Sequence, residues 1–292
     1  FTLYGLKRSA EARTHLDRYY EPFYKIRREG LDALIITGAN VTGPDLSQEP
    51  FWEPLIEVVD WAYAHVCSTL CSCLATHAVM QFRYQQRRSP LPAKRWGVFG
   101  HCVVAREHPL VSDVNTRFDV PHSRFNDISH AQYVEAGLHV LAESEEAGVH
   151  LAVSPDGFRQ VFLQGHPEYD TISLLKEYKR EVKRFAAGER ADYPPFPDSY
   201  FGLQARAILD EHRARLSVAR DQGRELPAFP EAHILPGLNN TWHDTAEGVI
   251  GNWMGLVYQV TNIDRKLTFM PGVSPGDPLA LRTEAPAAGQ VR

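Results

Sequence analysis

The chain has 292 residues, 43% hydrophobic and 23% charged, with a formal net charge of −5 and a pI near 6.2. That is ordinary globular composition, enough for one large domain or two small ones. It lacks the basic stripe of a nucleic-acid binder, and no apolar run approaches the roughly 20 residues of a membrane-spanning helix.

The chain opens on "FTLYGL", which reads as a strand, with no initiator methionine or polar lead-in; an N-terminal piece ahead of Phe1 is expected. "GLDALIITGAN" is a short aliphatic and β-branched run that stops at Gly38, the pattern of a fully buried parallel strand. "FWEPLIEVVDWAYAHV" carries Leu55, Val58, Val59 and Ala62 at helical spacing. "CSTLCS" follows as a second buried strand, and "CLATHAVMQFRYQ" is helical again. Strand, helix, strand, helix implies a parallel sheet with right-handed crossovers. Further on, "VHLAVS" and "RQVFLQG" flank the turn "PDG" as a hairpin ending at Gly165 and His166. "TISLLKEYKREVKRFAAG" is an amphipathic helix closed by Gly188.

The texture then changes. "ADYPPFPDSYFG" and "RELPAFPEAHILPGLNN" are loop-like, "LQARAILDEHRARLSVARDQG" is a charged amphipathic helix, and "GVIGNWMGLVYQVT" is an apolar one. The tail from Pro271 is poor in bulky apolar residues and is expected to be mobile. The expected organisation is therefore a catalytic domain over residues 1–190, a helical and loop extension packed on it over 191–270, and a tail over 271–292. No internal repeat is visible.

Three of the four cysteines, Cys67, Cys71 and Cys73, fall within seven residues. Four are too few for a disulfide scaffold, and a reduced, cytoplasmic protein is expected. Their C-x3-C and C-x-C spacings make at most half a zinc site, and Cys102 stands alone, so no metal is expected. Cys67 and Cys71 lie before or within a strand and read as core. Cys73 sits where the strand gives way to a helix. A residue there is lifted out of the sheet on a tight turn, the geometry of a nucleophile elbow. The helix N-terminus behind it favours thiolate and offers the Leu74 amide as an oxyanion donor.

A thiol nucleophile needs a base, and with 13 histidines in the chain a lone imidazole proves little. "GHPEYD" is more informative. It follows a strand, and residues two apart in extended chain point to one side. Glu168 is thus placed to hold His166 in one tautomer, giving a Cys73–His166–Glu168 triad at the C-terminal ends of sheet strands.

These residues resemble the class I glutamine amidotransferase-like fold, a flavodoxin-like α/β fold with a mostly parallel sheet flanked by helices and, here, a C-terminal helical extension. Within it, the chain is similar to the homoserine O-acyltransferases of methionine biosynthesis. The matching stretches are "LIITGANV", "FWEPLIEVVDWAYAHVCSTLCSCLATHA", "KRWGVFGH", "PHSR", "LAESEEAGVHL" and "GHPEYD", covering roughly Leu31 to Arg180. Ordinary glutaminases carry G-x-C-x-G at the elbow, whereas this chain has Ser72-Cys73-Leu74-Ala75, which argues against ammonia release from glutamine.

The resemblance implies that Cys73 takes the acyl group from acyl-CoA as a thioester, that His166 accepts the homoserine hydroxyl proton, and that Glu168 orients His166. It places Lys94, Ser123 and Arg180 at substrate-contact positions. It implies no bound cofactor, acyl-CoA as co-substrate, L-homoserine as acceptor, and a homodimer; composition and charge already argue against nucleic acid and membrane as partners. A second oxyanion donor is expected from the backbone near Gly38 and Ala39.

In the family, the residue four after the glycine of "TGA" sorts the donor, with Glu for acetyl and Gly for succinyl. Here it is Thr42. Threonine brings no negative charge against succinate's distal carboxylate and can donate a hydrogen bond, so succinyl-CoA is favoured over acetyl-CoA. Asn40 replaces the proline often found two residues earlier, and the C-terminal third matches weakly. Serine as acceptor, a glutaminase-type hydrolase with the same triad, and a non-catalytic member binding partners through the helix over 204–223 are the competing readings.

Overall fold

The computed structural model describes residues 1–282 apart from Tyr4 and Asn40; residues 283–292 lie outside the description. Among the described residues, seven strands form one sheet: β1 (Ala33–Ile36), β2 (Ser68–Ser72), β3 (Ser89–Val103), β4 (Arg117–Asp127), β5 (His139–Ser144), β6 (Gly148–Val153) and β7 (Gln160–Leu163). Their spatial order is β1-β2-β7-β6-β5-β3-β4. The class is α/β, as expected, but the sheet is mixed. Only β1, β2 and β7 run parallel; from β7 through β6, β5 and β3 to β4 every pairing is antiparallel. Parallel neighbours need helical crossovers, which α3 (Trp52–His65) and α4 (Leu74–Tyr84) begin to supply on the β1–β2–β7 side. The other half closes with short antiparallel connections.

The inner parallel strands β2 and β7 are buried on both faces, which is why they read as unbroken apolar runs; β1, expected to be fully buried, is instead the edge of the sheet and leaves Ile35 half exposed. Every residue of β2 and β7 is buried. Leu70, Val161 and Leu163 pack with Trp253, Leu256 and Val257 of α9 (His243–Val260) on one face. Cys71 and Phe162 pack with Leu74, Ala75 and Val79 of α4 on the other. Each large apolar side chain so enclosed contributes roughly 1.5–3 kcal/mol. The Trp253 indole also donates to Ser68 Oγ at 2.8 Å, tying α9 to the start of β2.

A third apolar cluster joins α6 (Ser173–Ala186) and α7 (Leu203–Asp221) to Trp96 and Val98 of β3. The helices after residue 190 therefore share apolar clusters with the sheet. Beyond Pro271, Asp277 caps the turn that ends at Arg282, and Arg282 donates to the Pro155 carbonyl at 3.0 Å.

"FTLYGL" does not form the strand expected of it. Among its described residues, Thr2 makes one isolated bridge to Pro22, and Phe1 stacks on Phe23 at 5.1 Å. Its apolar residues cover the α3 side of the molecule instead of pairing with the sheet edge. Two helices not foreseen follow, α1 (Ala10–Tyr19) and α2 (Phe23–Glu29). The first buries no residue and so has no apolar stripe to betray it.

Candidate active site

β2 ends at Ser72 and α4 starts at Leu74, leaving Cys73 alone between them at φ 51°, ψ −111°. That conformation is strained for a residue with a Cβ and costs about 1–3 kcal/mol, so the surroundings must impose it. They do so through short bonds. The Cys73 amide donates to the Leu163 carbonyl at 2.7 Å. The Thr76 hydroxyl bridges the carbonyls of Cys71 at 2.8 Å and Leu163 at 2.9 Å, locking the first turn of α4 to the ends of β2 and β7. Gly38 presses on the same turn: a Cβ there would lie 3.0 Å from the Leu74 amide nitrogen and 3.3 Å from Cys73 Cβ. Leu74 carries the first amide of α4, whose N-terminus has no side-chain cap among the described residues, so this donor stands next in sequence to the thiol.

The cysteines divide as the strand and elbow readings require. Cys67 and Cys71 are fully buried and unbridged, and burial pushes both thiols up to about 12. Cys73 is partly exposed. Among the described residues, no cluster of His, Cys, Asp and Glu is placed to hold a metal ion.

His166 follows β7, with its amide donating to the Pro121 carbonyl at 2.7 Å. Its Nδ1 lies 2.8 Å from Glu168 Oε1, and its ring stacks on Tyr169 at 4.4 Å and 19°. Burial alone would lower the imidazole's pKa. Hydrogen bonds with the Cys73 side chain and Glu168, together with their charges, outweigh it and raise the value to about 10. Gly165 is required where it stands, since a Cβ would meet Val120 at 2.4 Å and His122 at 2.9 Å.

A cavity of about 700 Å³ opens above the elbow, and every residue singled out from the sequence lines it: Ala39, Thr42, Cys73, Leu74, Lys94, Ser123, His166, Glu168 and Arg180. Asn40 lies outside the described residues. What the sequence did not reveal is the group on which two of these converge. Glu177, on α6, accepts from Lys94 Nζ at 2.9 Å and Ser123 Oγ at 2.7 Å on one oxygen, and from the Tyr169 hydroxyl at 2.6 Å on the other. Burial alone would raise the Glu177 pKa; Lys94, Tyr169 and Ser123 hold it below the usual range. Burial lowers Lys94, which Glu177 offsets in part. Arg180 stands one turn further along α6, half exposed, 3.5 Å from Glu181.

At the opposite end, the loop bearing Thr42 is held through its backbone. Asn126 donates to the Thr42 carbonyl at 3.1 Å, and the buried Arg88 donates to the carbonyls of Val41 at 3.1 Å and Gly43 at 3.2 Å. Glu177 did have a sequence signal. Residues 177, 180, 181 and 184 share a helical face, a polar stripe beside the apolar one of Leu174, Tyr178, Val182 and Phe185. Nothing local marks Arg88, Asn126 or Tyr169.

A strained thiol at the end of one parallel strand, with an imidazole–carboxylate pair at the end of its neighbour, is the architecture of α/β enzymes that work through an elbow-borne cysteine. The model of the HTS family, homoserine O-succinyltransferase, matches residues 1–263. Homoserine O-succinyltransferase of Allochromatium vinosum is 77% identical over 96% of this chain and 79% of its own length. That of Nitrosococcus oceani is 64% identical over 97% and 79%, and that of Cardiobacterium hominis 44% over 96% and 78%. Among solved structures, a glutamine amidotransferase of Methylobacillus flagellatus aligns with a TM-score of 0.47 at 14% identity, covering 84% of this chain and 86% of that one. The chain belongs to the homoserine O-succinyltransferase family.

Proposed function

We propose that this chain is a homoserine O-succinyltransferase, an acyltransferase of methionine biosynthesis that moves succinyl from succinyl-CoA to the L-homoserine hydroxyl through a thioester on Cys73. The observation that carries the reading is the strained Cys73, hydrogen-bonded to a His166–Glu168 pair, at the floor of a cavity whose far wall holds Lys94, Ser123, Glu177 and Arg180.

In the first half-reaction His166 takes the Cys73 proton and the sulfur attacks the thioester carbonyl. The oxyanion forms against the Leu74 amide and the backbone at Ala39. When it collapses, the carbon–sulfur bond to CoA breaks and the CoA sulfur leaves with the proton from His166. Exchange of one thioester for another is nearly isoenergetic, so the acyl enzyme can wait for its acceptor. In the second half-reaction His166 takes the homoserine hydroxyl proton, the oxygen attacks the acyl carbon, and the Cys73 sulfur leaves and is reprotonated. Glu168 keeps the imidazole aimed and steadies its charge at each transfer. No resident cofactor enters the scheme.

The acceptor's two charges find complements on α6. Arg180 can take the α-carboxylate bidentately. A carboxylate has about four lone-pair positions, and Lys94, Ser123 and Tyr169 fill three at Glu177, leaving room for an α-ammonium donor. At the donor end, Thr42 carries no charge to repel succinate's distal carboxylate, and the guanidiniums of Arg88 and Arg124 line the same cavity.

Two further parts of the reading are structural. The exposed Met254 and Tyr258 on α9 offer a face for a homodimer, which a monomeric mass by light scattering would remove. Among the described residues no helix is long and apolar enough to cross a membrane, and a reaction that consumes acyl-CoA fits the cytoplasm.

Initial-rate kinetics over a grid of succinyl-CoA and homoserine test the reading. Parallel double-reciprocal lines are expected, with succinyl-CoA used better than acetyl-CoA and homoserine better than serine. Intersecting lines would count against the thioester, and a preference for acetyl-CoA against the role given to Thr42.

A further inference from the structure

We propose that Arg184 and Arg190, at the mouth of the cavity, form the subsite for the phosphates of the acyl-CoA donor; this rests on acyl transfer at Cys73 as read above. The first reason is charge. The chain carries −5 overall. Yet the cavity is lined by Lys94 and five arginines, at positions 88, 124, 180, 184 and 190, against three glutamates, at 168, 177 and 181. A polyanion is the ligand such a lining selects.

The second reason is how the mouth is wired. Glu168 is committed to His166 and Glu177 to Lys94, which leaves Glu181 as the cavity carboxylate facing three guanidiniums. It lies 3.5 Å from Arg180, 3.3 Å from Arg184 and 3.0 Å from Arg190. Arg184 has one more anionic neighbour, the exposed Glu189 at 3.4 Å. The Glu181 side chain is only 15% exposed, whereas Arg184 is 49% and Arg190 29% exposed. A single sunken carboxylate fixes these side chains without using up their donors, since each guanidinium has five N–H groups in a rigid fork. Arg190 is held again by its Nε, which donates to the Asp192 carbonyl at 2.7 Å. Guanidiniums ordered in advance lose little entropy on binding phosphate.

The third reason is distance. Acyl-CoA carries its reacting carbonyl and its phosphates at opposite ends of the pantetheine arm, so a donor acylating Cys73 must leave its phosphates at the far end of the cavity. Glu177 is tied through Tyr169 to the His166 ring, and Arg184 lies seven residues on, about 10 Å along the axis of α6.

Kinetics with succinyl-CoA and with succinyl-pantetheine, the same thioester without phosphates, read the subsite directly. Native protein should have the higher kcat/KM for succinyl-CoA. Arg184→Ala and Arg190→Ala should each lower the ratio of the two kcat/KM values by about tenfold, through KM for succinyl-CoA. Arg184→Gln, a mild change on an exposed helix face, should lower it in the same direction. Lys183→Ala, on the same helix but outside the cavity lining, should leave the ratio at the native value. The succinyl thioester of 3′-dephospho-CoA tells the ribose phosphate from the diphosphate. A ratio unmoved in the arginine variants overturns the proposal, whether both donors lose equally, as general damage would cause, or neither does. Native protein that forms no Cys73 adduct with succinyl-pantetheine strikes instead at the thioester reading itself.

Discussion

On the β2–β7 side of the cavity, Cys73 and His166 stand at the ends of fully buried strands. On the α6 side, Glu177, Arg180 and Glu181 stand on an amphipathic helix. The first side is positioned by backbone. The elbow is held by main-chain bonds, a bridging Thr76 hydroxyl and the close approach of Gly38. The second is positioned by ion pairs and hydrogen bonds between side chains. On the proposed function, the difference separates two jobs. Bond-making needs one geometry kept within tenths of an ångström, which a strained turn in a packed sheet can hold. Recognition of charged substrates needs complementary groups, which side chains on a helix can supply and exchange.

The comparison is sharpest at two thiols two residues apart. Cys73→Ala should lower acyl transfer by at least about a thousandfold, because the proposed nucleophile is lost. Cys71→Ala should leave turnover near the native rate and lower stability by about 1 kcal/mol, because that buried sulfur only fills space. Steady-state kinetics and denaturant melts of the pair check both halves. Equal loss of activity in the two would erase the distinction between elbow and strand.

On the other wall, Glu177→Gln should raise KM for the acceptor by about tenfold or more, while Cys73 still becomes acylated when the donor is added alone. Loss of the adduct in that variant would mean that the α6 wall also builds the nucleophile. A smaller effect is expected at the link between the walls. Tyr169→Phe keeps the ring on His166 and removes only the bond to Glu177, so a several-fold rise in acceptor KM is expected with kcat little changed. Tyr169→Leu removes the stack as well and should lower kcat too.

The His166 pairing also has a pH signature. Its pKa in the folded protein is raised to about 10, above the unfolded value near 6.5, so the folded state binds the extra proton. Its contribution to stability is full below about 6.5 and is lost as pH rises towards about 10. Chemical melts from pH 6 to 10 should therefore show the stability gap between the native protein and His166→Gln shrinking with pH. A gap that widens would reverse the sign of the pairing.

Legibility followed the same division. The parallel strands β1 and β2, the elbow and the "GHPEYD" turn are local patterns, and Cys73, His166 and Glu168 could be named from them; only the burial of β1 was overstated, because an edge strand can be as aliphatic as an inner one. The long β3–β4 pair could not. β3 begins "SPLPAKRWG", where two prolines and a glycine break the alternation of a strand, yet it pairs along most of β4. Lys94, Ser123 and Arg180 came from family resemblance, because their surroundings in the sequence are those of ordinary surface residues. Glu177 escaped notice because its partner Lys94 is 83 residues away, on an element whose pairing was itself unread. The expected prevalence of parallel strands failed because, beyond the legible β6–β7 hairpin, the antiparallel half of the sheet rests on the β3–β4 pair, whose local pattern is weak.

The most direct test is the intact mass of the protein after brief mixing with succinyl-CoA and no acceptor, followed by peptide mapping. The account predicts a gain of one succinyl group on Cys73 that disappears when homoserine is added. A protein that stays unmodified while still converting homoserine to product, or an adduct on any other residue, would contradict it.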